Sequence, residues 1–374
     1  MAKKPGLSNP SPKRTSRGRK LPARLQCKIM TERSGEVINV RNVLVTGATG
    51  FAGSHILEAL SKVAGIRPIA ACRHPSALPA EVYCEVREGD LRDANYIKDV
   101  CRGVDVVIHA AAWTSLYGHC ESSQRLYFQP TLGLIEAARQ AGVKVFINTS
   151  TASAAAPERS ADPYSPGVEP PYWPHLCNLV RIENILRGYA CSWFKVINLR
   201  MGIYVGRRYR VGFLPILLPR LKTRLIPWIR GGKTSLPLID GRDIGQAFSL
   251  AAQWTPGEDY AAFNILGSGP PSVREVIEYI SDRHHIPKPC YSVPFPVAYG
   301  VGELMELIDP LMPFDPLVTR SLIHLLEETG ADNSRATAVL GYQPQIDWRR
   351  SIDEQIEEIC RQKTLAPMHN LLET

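Results

Sequence analysis

Asn42–Gly53, NVLVTGATGFAG, is the stretch on which the reading of this chain turns. Val43, Leu44 and Val45 form the short apolar run expected of a parallel strand buried on both faces. Gly47, Gly50 and Gly53 follow at three-residue spacing, with Thr49 and Phe51 between them, and Ser54–Leu60 then reads as a helix. Glycines so placed permit a tight turn, close backbone approach to a pyrophosphate, and close packing of helix on strand. The unpaired N–H groups at the helix start would face the phosphate. A glycine triplet alone is a weak signal, but a strand before it and a helix after it point to nucleotide binding.

Working outward, Pro68–Cys72 and Val82–Arg87 read as second and third strands, the latter closing on Glu88-Gly89-Asp90. Asp93–Cys101 reads as a short helix, Val104–His109 as a fourth strand and Leu132–Gln140 as a helix. Val143–Asn148 reads as a buried strand ending in Thr149-Ser150-Thr151. Tyr172–Ala190 carries a helix with Leu179, Ile182 and Leu186 on one apolar face, and Phe194–Leu199 returns as a strand. This alternation from 42 to 200 predicts an α/β fold with a doubly wound parallel sheet. Ligands of such sheets sit at the carboxyl ends of the strands, where Gly47, Arg73, Asp90, His109, Thr151 and Arg200 fall. The expected organisation is a basic tail over 1–40, a dinucleotide-binding domain over 41–200, and a smaller mixed lobe over 201–374. Some segments of that lobe are expected to return to the first domain. Within it, Val211–Arg230 is apolar but interrupted by Pro215, Pro219 and Pro227. Val273–Ile280 is helical, and Tyr291–Leu317 is apolar and proline-broken.

At 374 residues and 44% hydrophobic, the chain can bury a full core. Its net charge of +8 is not spread over the body. Residues 1–28 hold nine Lys and Arg and no acid, which leaves the rest near neutrality and argues against a specific nucleic-acid function. The tail reads as disordered, with weak contact to RNA or an anionic membrane surface as the alternative. No secretory core precedes the fold, and no apolar run reaches the ~18 residues of a transmembrane segment. Nine cysteines without CxxC or Cys/His spacing suggest a reduced, cytoplasmic protein with no metal site.

From about 41 to 360 the chain resembles the extended short-chain dehydrogenase/reductases, nearest in flavour to the 3β-hydroxysteroid dehydrogenase and dihydroflavonol-reductase group. The carrying motifs are TGATGFAG, GDLRD at 89–93, VIHAAA at 107–112, FINTST at 146–151 and LRMGIYVG at 199–206. IDGRDIGQAF at 239–248, FNILGSGPPSVREV and LGYQPQIDW add to them. The resemblance implies a Rossmann domain in which Gly47, Gly50 and Gly53 hold the pyrophosphate, together with Thr49 and Phe51 of the same turn. By the same resemblance Asp90 and Leu91 flank the adenine, and His109, Ala110 and Ala111 line the middle of the cofactor. Thr151 stands at the family's active-site Ser/Thr. NAD-preferring sites place an acid at the end of the second strand. Here Ala70-Ala71-Cys72-Arg73-His74 has none, and Arg73 can hold a 2′-phosphate, so NADP(H) is favoured with NAD(H) as the alternative.

The family's Tyr-x-x-x-Lys pair is absent, since no Tyr in the chain has Lys four positions on. In the family, Tyr moves the proton and Lys on the same helix face lowers its pKa. Aligning Glu183 with the Glu that follows that Lys by four puts His175 at the Tyr position and Leu179 at the Lys position. His175 then becomes the expected acid/base, titrating near 6.5 if unperturbed, with Tyr117 and Tyr204 as fallback donors. The resulting expectation is an NAD(P)H-dependent oxidoreductase acting on a ketone or alcohol of an apolar small molecule, steroid-, isoprenoid- or polyketide-like. A non-catalytic nucleotide-binding protein and an isomerase or epimerase are the alternatives. The apolar 211–230 and 291–317 segments serve that substrate, the core or a homodimer face. The run Arg207, Arg208, Arg210 suits an anionic group or a solvated loop.

Overall fold

The computed structural model describes residues 40–155, 161–311 and 316–369. The basic tail expected over 1–40 lies outside them up to residue 39. The apolar run Val43–Val45 sits in β1 (Arg41–Thr46), the strand from which a seven-stranded parallel sheet extends to both sides. To one side lie β2 (Ile66–Cys72) and β3 (Glu85–Glu88), and to the other β4 (Val106–His109), β5 (Val145–Thr151) and β6 (Lys195–Met201). Three short strands follow, β7 (Ile203–Val205), β8 (Trp228–Ile229) and β9 (Leu238–Asp240), before β10 (Tyr260–Ile265) returns to the main sheet beside β6. β11 (Ser292–Val293) pairs with β8, and β7 pairs with β9. The main-sheet order is β10-β6-β5-β4-β1-β2-β3. Chain progression reverses between β1 and β4, so a crevice opens beyond their carboxyl ends.

Parallel pairing requires crossovers, and helices supply most of them, though no α-helix lies between β2 and β3. In chain order the helices are α1 (Phe51–Leu60), α2 (Ala94–Val100), α3 (Cys120–Ser123), α4 (Gln129–Gln140) and α5 (Pro174–Tyr189). Then come α6 (Phe213–Thr223), α7 (Gly241–Gln253), α8 (Val273–His284), α9 (Phe295–Ile308), α10 (Arg320–Leu325), α11 (Ser334–Leu340) and α12 (Trp348–His369). Strand alternation divides the core. Val43 and Val45 pack with Ile56 and Leu57 of α1 and Phe248 of α7, whereas Leu44 packs on the opposite face with Leu134 of α4 and Leu176 of α5. A third cluster joins α6, α8 and α12 through Leu214, Ile277 and Ile352. Burial of each such side chain contributes about 1.5–3 kcal/mol.

Several boundaries differ from the sequence reading, for identifiable reasons. α1 begins at Phe51, three residues earlier than expected, because Gly50 is already its extended N-cap. β3 is confined to Glu85–Glu88, since only those residues pair with β2. β5 runs on through Thr149, Ser150 and Thr151, which pair with Leu199, Arg200 and Met201 of β6. A wide π-type turn at Gln124–Phe128 links α3 to α4, so the helical stretch starts well before Leu132. The prolines of 211–230 do not break α6. Pro215 lies in its first turn, where no N–H is needed. Pro219 lies inside it, and Arg220 Nη1 donates to the Ile216 carbonyl 3.0 Å away. Leu214, Leu218 and Leu221 remain buried on the helix face.

Candidate active site

The glycine turn leaves no room for side chains where backbone must approach a ligand. Gly47 has φ +64°, and a Cβ there would stand 2.7 Å from the Ala111 backbone. A Cβ on Gly53 would lie 2.2 Å from the Gly47 carbonyl oxygen. Beside this cradle runs a groove of about 400 Å³ lined by Thr49, Gly50, Arg73, Asp90, Leu91 and Ala111. A turn closed to side chains, a helix start with unpaired N–H groups and an elongated groove fit the pyrophosphate and adenosine half of a dinucleotide.

Two charged residues of the groove differ in their state. Asp90 is clamped by Arg92, with Nη2 2.5 Å and Nε 3.0 Å from its oxygens, and accepts the Arg92 backbone N–H at 2.9 Å. These bonds hold its carboxyl down at about 2. Arg73, at the end of β2, is exposed and makes no ion pair among the described residues. Its charge still reaches Asp90.

His109 is buried at the end of β4, between two threonines. Thr131 donates its hydroxyl proton to the Tyr127 carbonyl at 2.7 Å, so Thr131 Oγ1 accepts from His109 Nε2–H at 3.0 Å. Nδ1 is then the acceptor for the Thr46 hydroxyl at 2.9 Å, and Thr46 Oγ1 takes the Ala111 N–H at 3.2 Å. Burial lowers the His109 pKa to about 4, which keeps the ring neutral. His109 thereby ties β1 to the Ala110-Ala111 backbone that walls the cradle.

Adjoining the groove, and sharing Thr49, Gly50, His109, Ala110, Ala111 and Tyr127 with it, opens a cavity of about 1050 Å³. Thr151, His175 and Leu179 all line it. Thr151 Oγ1 also accepts the Ser153 N–H at 3.3 Å, capping the turn after β5. The register of α5 is set by Glu183, whose carboxylate meets the Arg200 guanidinium at 2.6 Å and accepts from Asn198 Nδ2 at 2.9 Å. His175 and Leu179 stand eight and four residues earlier on the same stripe. Burial lowers the His175 pKa to about 4, which corrects the expectation of titration near 6.5. At neutral pH the ring is uncharged and can act as an N–H donor or an acceptor, but not as an imidazolium. Its Nδ1 is buried with no hydrogen-bond partner among the described residues.

The fallback donors fare differently. Tyr117 is absent from the cavity wall, and its hydroxyl donates to Asp309 at 3.2 Å. Tyr204 lines the cavity, but burial pushes its phenol far above the ordinary range. Of the arginine run, Arg208 and Arg210 both line the cavity, but Arg208 is held by Glu58 at 2.5 Å and donates to His55 Nδ1 at 3.0 Å. Phe51 lines the same cavity and packs 4.5 Å from the Tyr209 ring.

Two further residues belong to the site. Ser150 is 4% exposed, lines the cavity, and its hydroxyl has no partner among the described residues. Tyr127, in the π-type turn, lines both the groove and the cavity, with its ring 5.1 Å from that of His175. The signal for Ser150 was a polar residue inside a buried strand. Tyr127 carried none, because its position depends on the turn. Among the described residues no acidic, His or Cys group is arranged to hold a metal, and no helix is long and apolar enough to cross a membrane.

Residues 43–265 match the family model described as the NAD dependent epimerase/dehydratase family. The 4-hydroxy-2-methyl-3-oxo-4-farnesyl-3,4-dihydroquinoline-1-oxide ketoreductase of Stigmatella aurantiaca is 24% identical over 320 residues, covering 83% of this chain and 94% of its own length. The UDP-glucose 4-epimerase of Streptomyces lividans is 26% identical over 276 residues, covering 66% and 82%. Among solved structures, MoeE5 in complex with UDP-glucuronic acid and NAD aligns with a TM-score of 0.63 at 24% identity, covering 86% of this chain and 99% of its own. The UDP-glucose 4-epimerase of Thermus thermophilus, in complex with NAD, aligns at 0.61 and 21%, covering 84% and 98%. The chain belongs to the NAD dependent epimerase/dehydratase family as an extended short-chain dehydrogenase/reductase, an NAD-dependent enzyme acting at a CH–OH/C=O carbon.

Proposed function

We propose that this protein is an NAD(P)H-dependent ketoreductase for a large apolar ketone bearing an isoprenoid-length hydrocarbon chain. The observation that carries this reading is the cavity of about 1050 Å³ that runs from the glycine turn past Thr151 and His175 to α6 and α9, the glycine-turn end of it being cofactor space. Beyond those two its wall is mostly apolar, with Ile203, Phe213, Ile216, Leu217, Ile226 and Leu326. Sites of this kind bind by burying hydrocarbon and orient by a few polar groups. The ketoreductase relative, whose substrate carries a farnesyl group, lends it further support.

Gly47, Gly50 and Gly53 would hold the pyrophosphate, Asp90 and Leu91 the adenosine, Arg73 a 2′-phosphate, and the Ala110-Ala111 backbone the middle of the cofactor. When bound, the nicotinamide supplies the hydride. The chain's own residues act on the oxygen: the Thr151 hydroxyl orients it, and a neutral His175 N–H donates to it as negative charge develops. A neutral histidine is a competent electrophile when its pKa is held low. Leu179 fits this arrangement, since a lysine there would be a buried cation in an apolar wall.

Oxidation of NADPH and NADH should be followed with a series of ketones of increasing hydrocarbon length. The expected result is a rise of kcat/KM with chain length, by up to ~0.8 kcal/mol per added buried CH₂, until the cavity is filled. Turnover independent of chain length, or interconversion of UDP-sugars with no net cofactor oxidation, would overturn it.

A further inference from the structure

One face of α9 is apolar and exposed. Val297, Val301, Leu304, Leu307 and Ile308 are all exposed along it, and Leu311 just beyond is 84% exposed. The opposite face, through Ala298 and Gly302, packs inward. The exposed surface is continuous with the cavity wall, because Val297 and Val301 also line the cavity, as do Leu225 and Tyr291. The backbone joins these pieces: β8 pairs with β11, Tyr291 Oη donates to the Leu225 carbonyl at 2.6 Å, and the next residues lead into α9.

From this we infer that the α9 face, with Leu225 and Tyr291, is a docking surface for an anionic lipid bilayer, across which an apolar substrate enters the cavity. Apolar patches of this kind at a cavity mouth mark an interaction site, and three observations select a membrane surface. Lys222, Arg224 and Arg230, which flank Leu225 and β8, are exposed and make no ion pair among the described residues. The acids of α9, Glu303 and Glu306, both turn to Arg320, at 3.2 Å and 2.7 Å. The rim therefore presents cations with no ion pair among the described residues beside an apolar helix face, the pattern of a segment lying in the headgroup boundary. A second copy pressed on this face would close the entrance to the cavity. A bilayer leaves it open to the hydrocarbon phase in which such a substrate dissolves.

This inference rests on the apolar-substrate reading for its purpose, but its measurement uses no substrate. The full chain is floated with phosphatidylcholine vesicles containing about a quarter phosphatidylserine, and its partition is compared with that of Leu304→Glu/Leu307→Glu. Neither leucine lines the cavity, and both are exposed, so the variant keeps its core. Raised salt screens the basic residues of 1–28 and isolates the apolar contribution. The unmodified chain should float with the vesicles and the variant at least about tenfold less at high salt. Absence of flotation, equal flotation of the two chains, or a dimer that the variant converts to monomer each overturns the proposal. Flotation without turnover of any ketone sinks the ketoreductase reading instead and leaves this one standing.

Discussion

Glu183 on α5 and Arg200 on β6 meet carboxylate to guanidinium at 2.6 Å, each 1% exposed. Arg200 Nε adds a bond to Glu183 at 3.1 Å and Nη2 one to the Ser165 carbonyl at 2.8 Å, while Asn148 extends the network through Asn198. Two charges taken out of water persist only when paired and hydrogen-bonded in this way. Their placement pins α5 against the sheet, and so determines which residues of α5 face the cavity.

Removing one partner should therefore be costly. Glu183→Ala leaves the Arg200 guanidinium buried and unpaired, with an expected loss of about 3–5 kcal/mol. Glu183→Leu combined with Arg200→Met should recover much of it, because no lone charge remains. Denaturant midpoints of the single and double variants give the coupling. Additive effects would mean that the pair is not the element that pins α5.

The sheet was legible because its signals are local: a three-residue apolar run, glycines at required spacing, and turns at the strand ends. β3 and the start of α1 lie a few residues from where the sequence puts them, since pairing and capping depend on neighbours the sequence does not display. The helix through Pro215 and Pro219 was missed because local breaker chemistry was outweighed by burial of Leu214, Leu218 and Leu221. At the site, the spacing of Glu183 located His175 and Leu179. The protonation state of His175 was not legible, because its pKa depends on how deeply α5 is packed.

Three buried histidines lower the stability in acid, partly offset by Asp243, whose carboxyl burial raises to about 6. His55, His109 and His175 are each held at about 4, chiefly by burial, with Arg208 adding to the effect at His55. In the unfolded chain they titrate near 6.5. Between those values the unfolded chain binds more protons, so stability is full above about 6.5 and falls as the pH drops toward 4. Each group contributes a slope of up to about 1.4 kcal/mol per pH unit. Urea midpoints at neutral and mildly acid pH should show the decline, and His109→Asn should flatten it. Stability unchanged down to the carboxylate range would show that the histidines are solvated.

Arg73 is the determinant to test for cofactor choice. It projects at the end of β2 with no acid from Ala70 to His74 to bind a ribose diol. NADPH should bind more tightly than NADH, and Arg73→Glu should remove the difference, about 1.5–3 kcal/mol for a charge-assisted bond. Calorimetric titration with both cofactors decides the matter. Equal affinities in the unmodified protein assign Arg73 to solvent.

His175→Phe tests the reaction chemistry. Phenylalanine keeps an aromatic ring beside Tyr127, though a somewhat larger one, and removes both nitrogens. If a neutral N–H assists the developing oxyanion, kcat should fall by roughly 10²–10⁴-fold, with cofactor affinity nearly unchanged because the cradle lies on the glycine turn. The pH profile of the unmodified enzyme should show no inflection near 6.5, and activity should decline only as the pH falls toward 4, where the ring takes a second proton and desolvation opposes it. An inflection near 6.5 that vanishes in His175→Phe would instead show an exposed imidazolium donor. Full activity in His175→Phe would move the role to another polar side chain of this part of the wall, with Ser150 and Tyr127 tested first. Ser150→Ala and Tyr127→Phe then separate them, since Ser150→Ala changes no aromatic contact, while Tyr127→Phe keeps the ring beside position 175.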